Sequence, residues 1–315
     1  MAKILAADLG GTNSRFALFE TTGDSFVMVD SIWLETHGAE SFPQLLEQLW
    51  SSEFPVRPGD FDCAVLAAAG AVVGGVTCPR LTNASWGIDI RDVDFGTHSV
   101  SVINDFAAQA CACRTSAVDD AMVIQDGESV DGDPIAVIGA GTGLGYSALI
   151  PTECGWSALP FEGGHMAFPF LGRKEAEYGE FNQRESGRHW PEGDSVVTGL
   201  GLKLVHSFLT GEDLTPKEIS ASITIKDQTT KWYSRFYARA CRDWAIGVMS
   251  RGGFFIAGGI AAKNPMFVTV PEFLEEFHDS HIYGDFLRSV PIRLNCNEES
   301  GLYGAGFYGM QMLAR

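Results

Sequence analysis

The residues best suited to chemistry lie near the start of the chain, in the segment DLGGTNSR at residues 8–15. Gly10, Gly11 and Thr12 form a glycine turn, and glycines let the backbone approach a ligand closely. A nest of N–H groups in such a turn binds phosphate. Asp8 precedes the turn, and a carboxylate beside a polyphosphate is favourable when a divalent cation lies between them. The alternative for this segment alone is an edge hairpin that merely prefers glycine.

A second segment, PIAVIGAGTGLGYSALI at residues 134–150, repeats this plan about 130 positions later. In both segments an apolar run, a glycine turn and another apolar run follow one another, which predicts two strands joined by a tight hairpin. Gly11-Thr12 aligns with Gly141-Thr142, and Ile138 stands where the first copy has Asp8. The pair predicts an internal duplication with one phosphate hairpin in each domain. Neither hairpin is a P-loop, because no Gly-Lys-Ser/Thr follows.

Asn104 and Asp105 come directly after a predicted strand, Ser99–Ile103, and before the helix-forming residues Ala107–Arg114. Ligands of open α/β sheets bind at this carboxyl edge of the strands. The positive end of a helix favours an ionised carboxylate, which is the form that accepts a proton from a substrate hydroxyl. The alternative for Asp105 is a plain N-cap. The motifs around it favour a general base.

Other polar residues suit a ligand with several hydroxyls. Glu162 and His165 flank two glycines in LPFEGGHMAF, and this pairing in a loop favours a polar binding site over a histidine satisfied within the core. Asn83, in LTNASWGIDI, is either a ligand or a turn residue. Together with Asn104 and Asp105 they form an acceptor-rich set. A buried polyol requires such a set, because each of its hydroxyls must be paired.

Strands and helices that alternate along the chain would position these residues, which predicts an α/β fold. Predicted strands beyond the hairpins are Phe26–Leu34, Asp62–Ala69 and Phe254–Ala257. Predicted helices are Ser41–Trp50 with Ser41 as its cap, Gly199–Leu209, Trp232–Met249 and Leu302–Leu313. The last helix is expected to return to the first domain. In Trp232–Met249 the residues at a spacing of four are expected in the core: Trp232, Phe236, Ala240, Trp244 and Val248.

The 315 residues carry a net charge of −18. This charge argues against nucleic acid or an anionic membrane as the main partner, since both need a basic face. An anionic substrate must therefore be held by local amides and a metal. No run approaches about 18 consecutive apolar residues, and the first residues turn polar too quickly for a signal peptide. The seven scattered cysteines predict reduced, mostly buried thiols and a cytoplasmic location.

Several motifs occur in the order seen in bacterial glucokinases: DLGGTNSR, TNASW, INDF, GAGTGLG, LPFEGGH, FIAGGI and GLYGAG. The chain resembles that family, a branch of the hexokinase and actin-like ATPase superfamily, over essentially its whole length. The resemblance implies a two-lobed actin-like ATPase (ribonuclease H-like) α/β fold with an internal duplication and an interlobe cleft. It implies a small domain of residues 1–110 plus 301–315 and a large domain of residues 111–300.

The resemblance implies ATP-dependent phosphorylation of glucose to glucose 6-phosphate, with Asp105 as the catalytic base. The implied glucose ligands are Asn83, Asn104, Asp105, Glu162, His165 and Asp194. Asp194 stands where the family has Glu, so the hexose preference stays open. The implied contacts to ATP are Asp8, Gly10, Gly11, Thr12, Asn13, Gly139, Gly141, Thr142, Gly143, Gly258 and Gly259. Asp8 is also expected to hold Mg²⁺ through water.

The resemblance further implies a homodimer. It predicts no structural zinc, because the His/Cys cluster of the related ROK sugar kinases is not visible in the sequence. One alternative function is a kinase for another hexose, such as mannose or glucosamine. Another is a sugar-sensing regulator, but we expect no DNA-binding segment before the strand that begins near Ile4. A third is an actin-like ATPase without a sugar site, which the Asn104-Asp105 and Glu162/His165 pairs argue against.

Overall fold

The computed structural model describes residues 1–23 and 25–314. The strands are β1 (Ala2–Leu9), β2 (Asn13–Thr22), β3 (Ser25–Glu35), β4 (Cys63–Ala68), β5 (Thr77–Cys78), β6 (Ile88–Asp89), β7 (Val100–Asn104), β8 (Met122–Gln125), β9 (Ile135–Ala140), β10 (Leu144–Thr152), β11 (Gly155–Phe161), β12 (Gly253–Ala257) and β13 (Ile292–Leu294). The helices are α1 (Phe42–Ser51), α2 (Asp105–Ala112), α3 (Gly172–Ser186), α4 (Gly193–Val196), α5 (Gly199–Thr210), α6 (Pro216–Ser222), α7 (Gln228–Val248), α8 (Gly259–Lys263), α9 (Met266–Thr269), α10 (Pro271–His278), α11 (Gly284–Ser289) and α12 (Ser300–Leu313). These strands and helices confirm that the fold belongs to the α/β class.

Two main sheets have a similar strand order. The first runs β3-β2-β1-β4-β7, and the second runs β11-β10-β9-β12-β13-β8. In the first sheet β1 pairs antiparallel with β2 and parallel with β4, which pairs parallel with β7. In the second, β9 pairs parallel with β12, and β12 pairs parallel with β13. Each sheet therefore continues from a hairpin strand into parallel strands.

The chain divides into two compact units. The first comprises Met1–Asp120, Leu149–Pro160 and Asn297–Arg315, and the second comprises Ala121–Ala148 and Phe161–Cys296. The division into domains of residues 1–110 plus 301–315 and residues 111–300 stays a prediction. Within the described ranges, no helix combines the length and the apolar character that a membrane span needs.

The first unit has the predicted buried central strand. Every residue of β4 is buried, as its uninterrupted apolar sequence predicts for a strand with neighbours on both sides. Helix α1 covers one face of this sheet with Leu45, Leu46 and Leu49. Ser41 caps the helix as predicted, since its hydroxyl oxygen accepts a hydrogen bond from the Gln44 N–H at 3.3 Å.

Helix α12 packs on β1, β4 and α2 of the first unit, as predicted for the terminal helix. The packing is close, because a Cβ added to Gly304 would lie 1.8 Å from the carbonyl oxygen of Ala108. A Cβ on Gly301 would lie 2.6 Å from Oδ2 of Asp8. The start of α12 therefore lies directly against the carboxylate that the sequence identifies as a metal ligand.

The second unit contains the long helix α7, which begins at Gln228, four residues before the predicted start. Trp232, Phe236, Ala240 and Trp244 are buried as predicted. Val248 is only half-buried, so its assignment to the core was wrong. The helix ends there, because Met249 takes a left-handed conformation with φ of 51°.

Candidate functional site

The predicted acidic residues of the first unit lie at one edge of its sheet. The strand register pairs Asp8 with Ala67 and pairs Ala68 with Asn104, across the parallel strands β1, β4 and β7. The carboxyl ends of these strands therefore meet, with Asp8 on one side of β4 and Asn104-Asp105 on the other. Ligands of α/β sheets bind at such an edge.

The first glycine turn is closed by a hydrogen bond from the Gly10 N–H to the Asn13 carbonyl at 3.1 Å. The buried residue Thr36, directly after β3, holds this turn through two hydrogen bonds. The Thr36 N–H donates to the Thr12 carbonyl at 3.0 Å, and its hydroxyl donates to the Gly10 carbonyl at 2.7 Å. Sequence analysis missed Thr36, because nothing near it in the chain marks it as a partner of a turn in another segment.

Asn83 lies beside the same turn. The Thr82 N–H donates to the Ala69 carbonyl at 2.7 Å, directly after β4. A Cβ on Gly11 would lie 2.1 Å from the Thr82 carbonyl oxygen, so only glycine fits there. Asn83 has φ of 61°, in the left-handed region that asparagine tolerates better than most residues. Asn83 therefore lies in a turn that packs against the first glycine turn.

Asn104 and Asp105 are both half-buried at the start of α2, and both side chains accept the Phe106 N–H, at 2.9 Å and 3.0 Å. Asn104 is the N-cap: its Oδ1 accepts from the N–H groups of Phe106 at 2.9 Å and Ala107 at 3.3 Å. Its Nδ2 donates to the Gly70 carbonyl at 3.2 Å. Asp105 is the first helical residue, so its reading as a plain N-cap was wrong. The Asp105 carboxylate lies at the positive end of α2.

Asp8 combines burial with one cationic neighbour. Burial raises the pKa of its carboxyl, and the charge and hydrogen bond of Arg15 at 3.4 Å only partly offset that effect. Arg15 also donates to the Glu298 carbonyl at 2.7 Å, and its guanidinium stacks 4.1 Å from the ring centre of Trp33. Asp8 is the carboxylate of this edge that suits a hard cation, which takes oxygen ligands.

The second glycine turn lies in the second unit and has a comparable closure. The Gly141 N–H donates to the Gly143 carbonyl at 2.9 Å, and the Gly199 N–H, at the start of α5, donates to the Gly141 carbonyl at 3.4 Å. The Leu144 N–H donates to Oδ1 of Asp194 at 2.7 Å. The end of this turn therefore lies in contact with Asp194, the acid to which the family resemblance gives a role in sugar binding.

The predicted adenosine residues lie beside that turn. Gly258 has φ of 87°, and a Cβ there would lie 2.6 Å from the Ala140 carbonyl oxygen. In the register of β9 and β12, Ala257 pairs with Gly139. The structure thus brings together all the ATP contacts predicted for the second unit: Gly139, Gly141, Thr142, Gly143, Gly258 and Gly259.

His165 is the centre of a charged cluster in the second unit, at the end of a 3-10 helix (Gly163–His165). Its Nε2 lies 3.9 Å from Oε2 of Glu162, and its Nδ1 lies 3.5 Å from Oε2 of Glu192 and 3.8 Å from Oδ2 of Asp194. Glu162 and His165 are exposed, whereas the side chains of Glu192 and Asp194 are only 19% and 15% exposed. Arg188 contacts both of these acids.

Sequence analysis missed Arg188 and Glu192. Their spacing of four residues was an available signal, because it suits an ion pair on a helical segment. That spacing is common on solvated surfaces, so it did not point to a site. The link to His165 comes from the pairing of residues 166–168 with 191–193, where the Gly193 N–H donates to the Met166 carbonyl at 3.1 Å.

Each unit, taken by itself, carries groups that suit the binding of phosphate or of a polyol. The first unit offers a carboxylate at a helix start, a second carboxylate suited to a cation and a glycine turn. The second unit offers another glycine turn beside a set of hydrogen-bonding acids and a histidine. Phosphoryl transfer depends mainly on such positioning and on charge neutralisation.

The chain is similar in sequence and in fold to known glucokinases. A family model described as glucokinase matches residues 5–312. The glucokinase of Salmonella arizonae is 29% identical over 324 residues, covering 98% of this chain and 97% of that protein. A glucokinase crystal structure from an Antarctic psychrotroph has a TM-score of 0.84 at 26% identity, covering 98% of both chains. The glucokinase of Balamuthia mandrillaris, solved in complex with glucose, has a TM-score of 0.77 at 20% identity, covering 98% of this chain and 93% of that one.

Proposed function

We propose that this chain, which belongs to the glucokinase family and phosphorylates glucose with ATP, uses Asp105 as its general base. The observation that carries this assignment is the position of Asp105 as the first residue of α2, directly after the carboxyl end of β7. Asn104 is the N-cap, and Oδ1 of Asp105 accepts the Phe106 N–H at 3.0 Å, which holds the carboxylate at the helix start. In the proposed step Asp105 takes the proton of the sugar 6-hydroxyl while that oxygen attacks the γ-phosphorus of ATP.

We propose that the sugar is bound by Asn83 and Asn104 in the first unit and by Glu162, His165 and Asp194 in the second. Carboxylate and amide oxygens accept hydrogen bonds from hydroxyl groups, and histidine donates or accepts according to its tautomer. The contacts among Glu162, His165 and Asp194 support the second half of this set. The position of Asn83 beside the first turn supports the first half.

The ATP phosphates are proposed to bind the two glycine turns, at Gly10–Asn13 and Gly141–Gly143. The proposed adenosine site is Gly258-Gly259, and Gly139 supports it from the neighbouring strand. Asp8 is proposed to hold Mg²⁺ through water, because this cation takes few carboxylates and completes its ligands with water and phosphate. Bound there, the cation would neutralise charge on the phosphates.

The finer fold assignment is an actin-like ATPase (ribonuclease H-like) fold with an internal duplication. The shared order of β3-β2-β1-β4-β7 and β11-β10-β9-β12-β13 supports it. The interlobe cleft stays a prediction. We also propose a homodimer, a cytoplasmic location and a role in glycolysis, all of which rest on the family. Size-exclusion chromatography would test the dimer, which should elute at twice the mass of the chain.

The test is a coupled ADP-release assay with Mg-ATP and a panel of hexoses. ADP release that depends on glucose is expected. Release with mannose or glucosamine but not with glucose would support the same mechanism with a different hexose as the substrate. Equal release with and without sugar would contradict the proposed function.

A further inference from the structure

We infer that Glu192 is an additional sugar-binding acid of this kinase and that Arg188 is the residue that positions it. This inference rests on the proposed glucose site in the second unit. It concerns a residue pair that the predicted ligand set, with Glu162, His165 and Asp194, does not contain.

One carboxylate oxygen of Asp194 already accepts a hydrogen bond from the protein backbone. Its Oδ1 accepts the Leu144 N–H at 2.7 Å. The same oxygen would lie 2.6 Å from a Cβ on Gly164, so the loop before His165 packs closely against it. A carboxylate held in this way has one oxygen, Oδ2, left to face His165 and a ligand. Aspartate is also one methylene shorter than glutamate, which limits its reach.

The carboxylate of Glu192 lies closer to His165 than the carboxylate of Asp194 does. Its Oε2 lies 3.5 Å from Nδ1 of His165, closer than the 3.8 Å of Asp194 Oδ2. The backbone pairing of residues 166–168 with 191–193 fixes Glu192 beside the residue that follows His165 in the chain. The Glu192 N–H also donates to the Ser195 hydroxyl at 3.1 Å. Glu192 therefore faces the same imidazole as Asp194 from a constrained backbone.

The two acids beside His165 share a cationic neighbour, Arg188. Glu192 and Asp194 contact the same nitrogen of His165, and like charges so close together repel each other. Arg188 offsets this repulsion, because Nη1 hydrogen-bonds to Glu192 and Nη2 lies 3.9 Å from Asp194. A guanidinium with several donors in a fixed plane is suited to two carboxylates at once. Arg188 thus holds both acids beside His165.

The primary experiment compares Glu192→Gln with the wild type in the ADP-release assay. The glucose KM is expected to rise about tenfold, because a charge-assisted hydrogen bond to a hydroxyl is weakened. The ATP KM is expected to stay within about twofold of wild type. Glu185→Gln is the matched control, since Glu185 is an exposed acid on α3 that pairs with Arg184. It should leave both constants unchanged.

A panel of deoxyglucoses then tests for direct contact. If Glu192 accepts a hydrogen bond from one hydroxyl, the wild type should discriminate against the sugar that lacks this hydroxyl, and Glu192→Gln should discriminate about tenfold less. Unchanged discrimination against every deoxyglucose would overturn the inference, and so would a glucose KM within twofold of wild type. If Glu192→Gln fails to fold, Glu192→Asp, which keeps the charge and shortens the reach, is assayed with the same panel and the same criteria.

The positioning role of Arg188 has its own readout. Arg188→Gln should raise the glucose KM about tenfold with kcat nearly retained, and Arg188→Lys should recover part of the loss. Equal loss of kcat in both variants would contradict a positioning role. Failure of this inference is separate from failure of the proposed function, because a wild type without sugar-dependent ADP release would overturn the function itself.

Discussion

At the scale of single residues, the side chains of Asn104 and Asp105 both accept a hydrogen bond from the first turn of α2. The Asn104 side chain accepts from two N–H groups of α2 and donates to the Gly70 carbonyl. It therefore joins the helix start to the segment after β4. Asp105 follows it as the first helical residue and keeps its carboxylate at the sheet edge. The geometry supports a base on a rigid element, which is more accurately placed than one on a loop.

The sequence predicted which residue types would gather at this edge, because strand ends and glycine turns have strong local signals. It did not predict that Asn104 rather than Asp105 would be the cap, since both residues favour that position. It also missed Thr36, whose hydrogen bonds to the first turn join segments that are distant along the chain. Contacts of this kind depend on tertiary structure and have no periodic pattern.

Asp8 leads to a prediction about stability and activity. Burial raises the pKa of this carboxyl above its ordinary value near 3.8, so the ionised form costs stability at neutral pH. Asp8→Asn should leave the free energy of unfolding unchanged or raise it by up to about 1 kcal/mol at pH 7. Turnover should fall at least about 100-fold, because the proposed Mg²⁺ site loses its carboxylate.

The sign of the pH dependence follows from the raised pKa. The advantage of Asp8→Asn over wild type should grow as the pH rises above about 4, because the carboxyl of the unfolded state then ionises while the native one still holds its proton, and it should level off above the native pKa. Urea denaturation at several pH values measures the difference in the free energy of unfolding between the variant and the wild type. The matched control is Asp30→Asn, which removes an exposed carboxylate on β3 and should show no such trend. A variant that is less stable than wild type at pH 7 and equally stable at pH 4 would contradict this account.

At the scale of elements, the hairpins and helices were largely predictable. Both glycine turns join two strands, and α1, α5 and α12 begin within two residues of their predicted starts. These elements have continuous apolar runs or one apolar face. The sequence did not indicate the ionic network around Arg239 of α7, whose side chain is 0% exposed. An arginine within an amphipathic helix is usually read as surface, so periodicity gave no indication of its burial.

Arg239 joins α7 to α3 and α10 through two buried acids. It donates to Glu175 at 2.6 Å and to Glu276 at 2.7 Å, and Arg242 adds a contact to Glu276 at 3.3 Å. Burial raises the pKa of Glu276, but its hydrogen bond to Arg239 and the nearby guanidinium charges outweigh this, so the net pKa is lowered. Both acids are needed, because removal of one partner leaves a buried charge uncompensated.

Glu276→Gln should therefore lower the free energy of unfolding by about 3 kcal/mol at pH 7. The lowered pKa means that the ionised carboxylate stabilises the fold above the ordinary value near 4.5 and that this contribution is lost as the pH falls through the native pKa. The difference between variant and wild type should shrink below about pH 4.5 in urea denaturation. Glu275→Gln, at the exposed neighbouring position, should change stability by less than about 0.5 kcal/mol. An equal effect of the two substitutions would contradict the network's role.

At the scale of the whole molecule, the net charge of −18 opposes the approach of ATP. Binding is therefore expected to depend on local groups, namely the glycine turns and the Mg²⁺ that we propose beside Asp8. The sequence predicted the charge and the order of the motifs along the chain. It did not predict that residues 149–160 would group with the first unit, because this division depends on tertiary contacts.

The repulsion predicts an unusual salt effect. A rise in ionic strength from about 0.01 M to about 0.15 M shortens the screening length from about 30 Å to about 8 Å. The KM for ATP at constant free Mg²⁺ should then fall by about twofold. Glucose is uncharged, and its KM should not change, which makes it the internal control. An ATP KM that rises with salt would indicate a site that attracts ATP through net positive charge, contrary to this account.

The most direct test of the central claim compares Asp105→Asn with wild type in single-turnover phosphorylation of glucose and in equilibrium binding of glucose. Loss of the general base should lower the rate by about 10²–10⁴-fold. The dissociation constant for glucose should stay within about threefold of wild type, since asparagine still hydrogen-bonds the hydroxyl. A nearly normal rate in the variant would show that Asp105 is not the base.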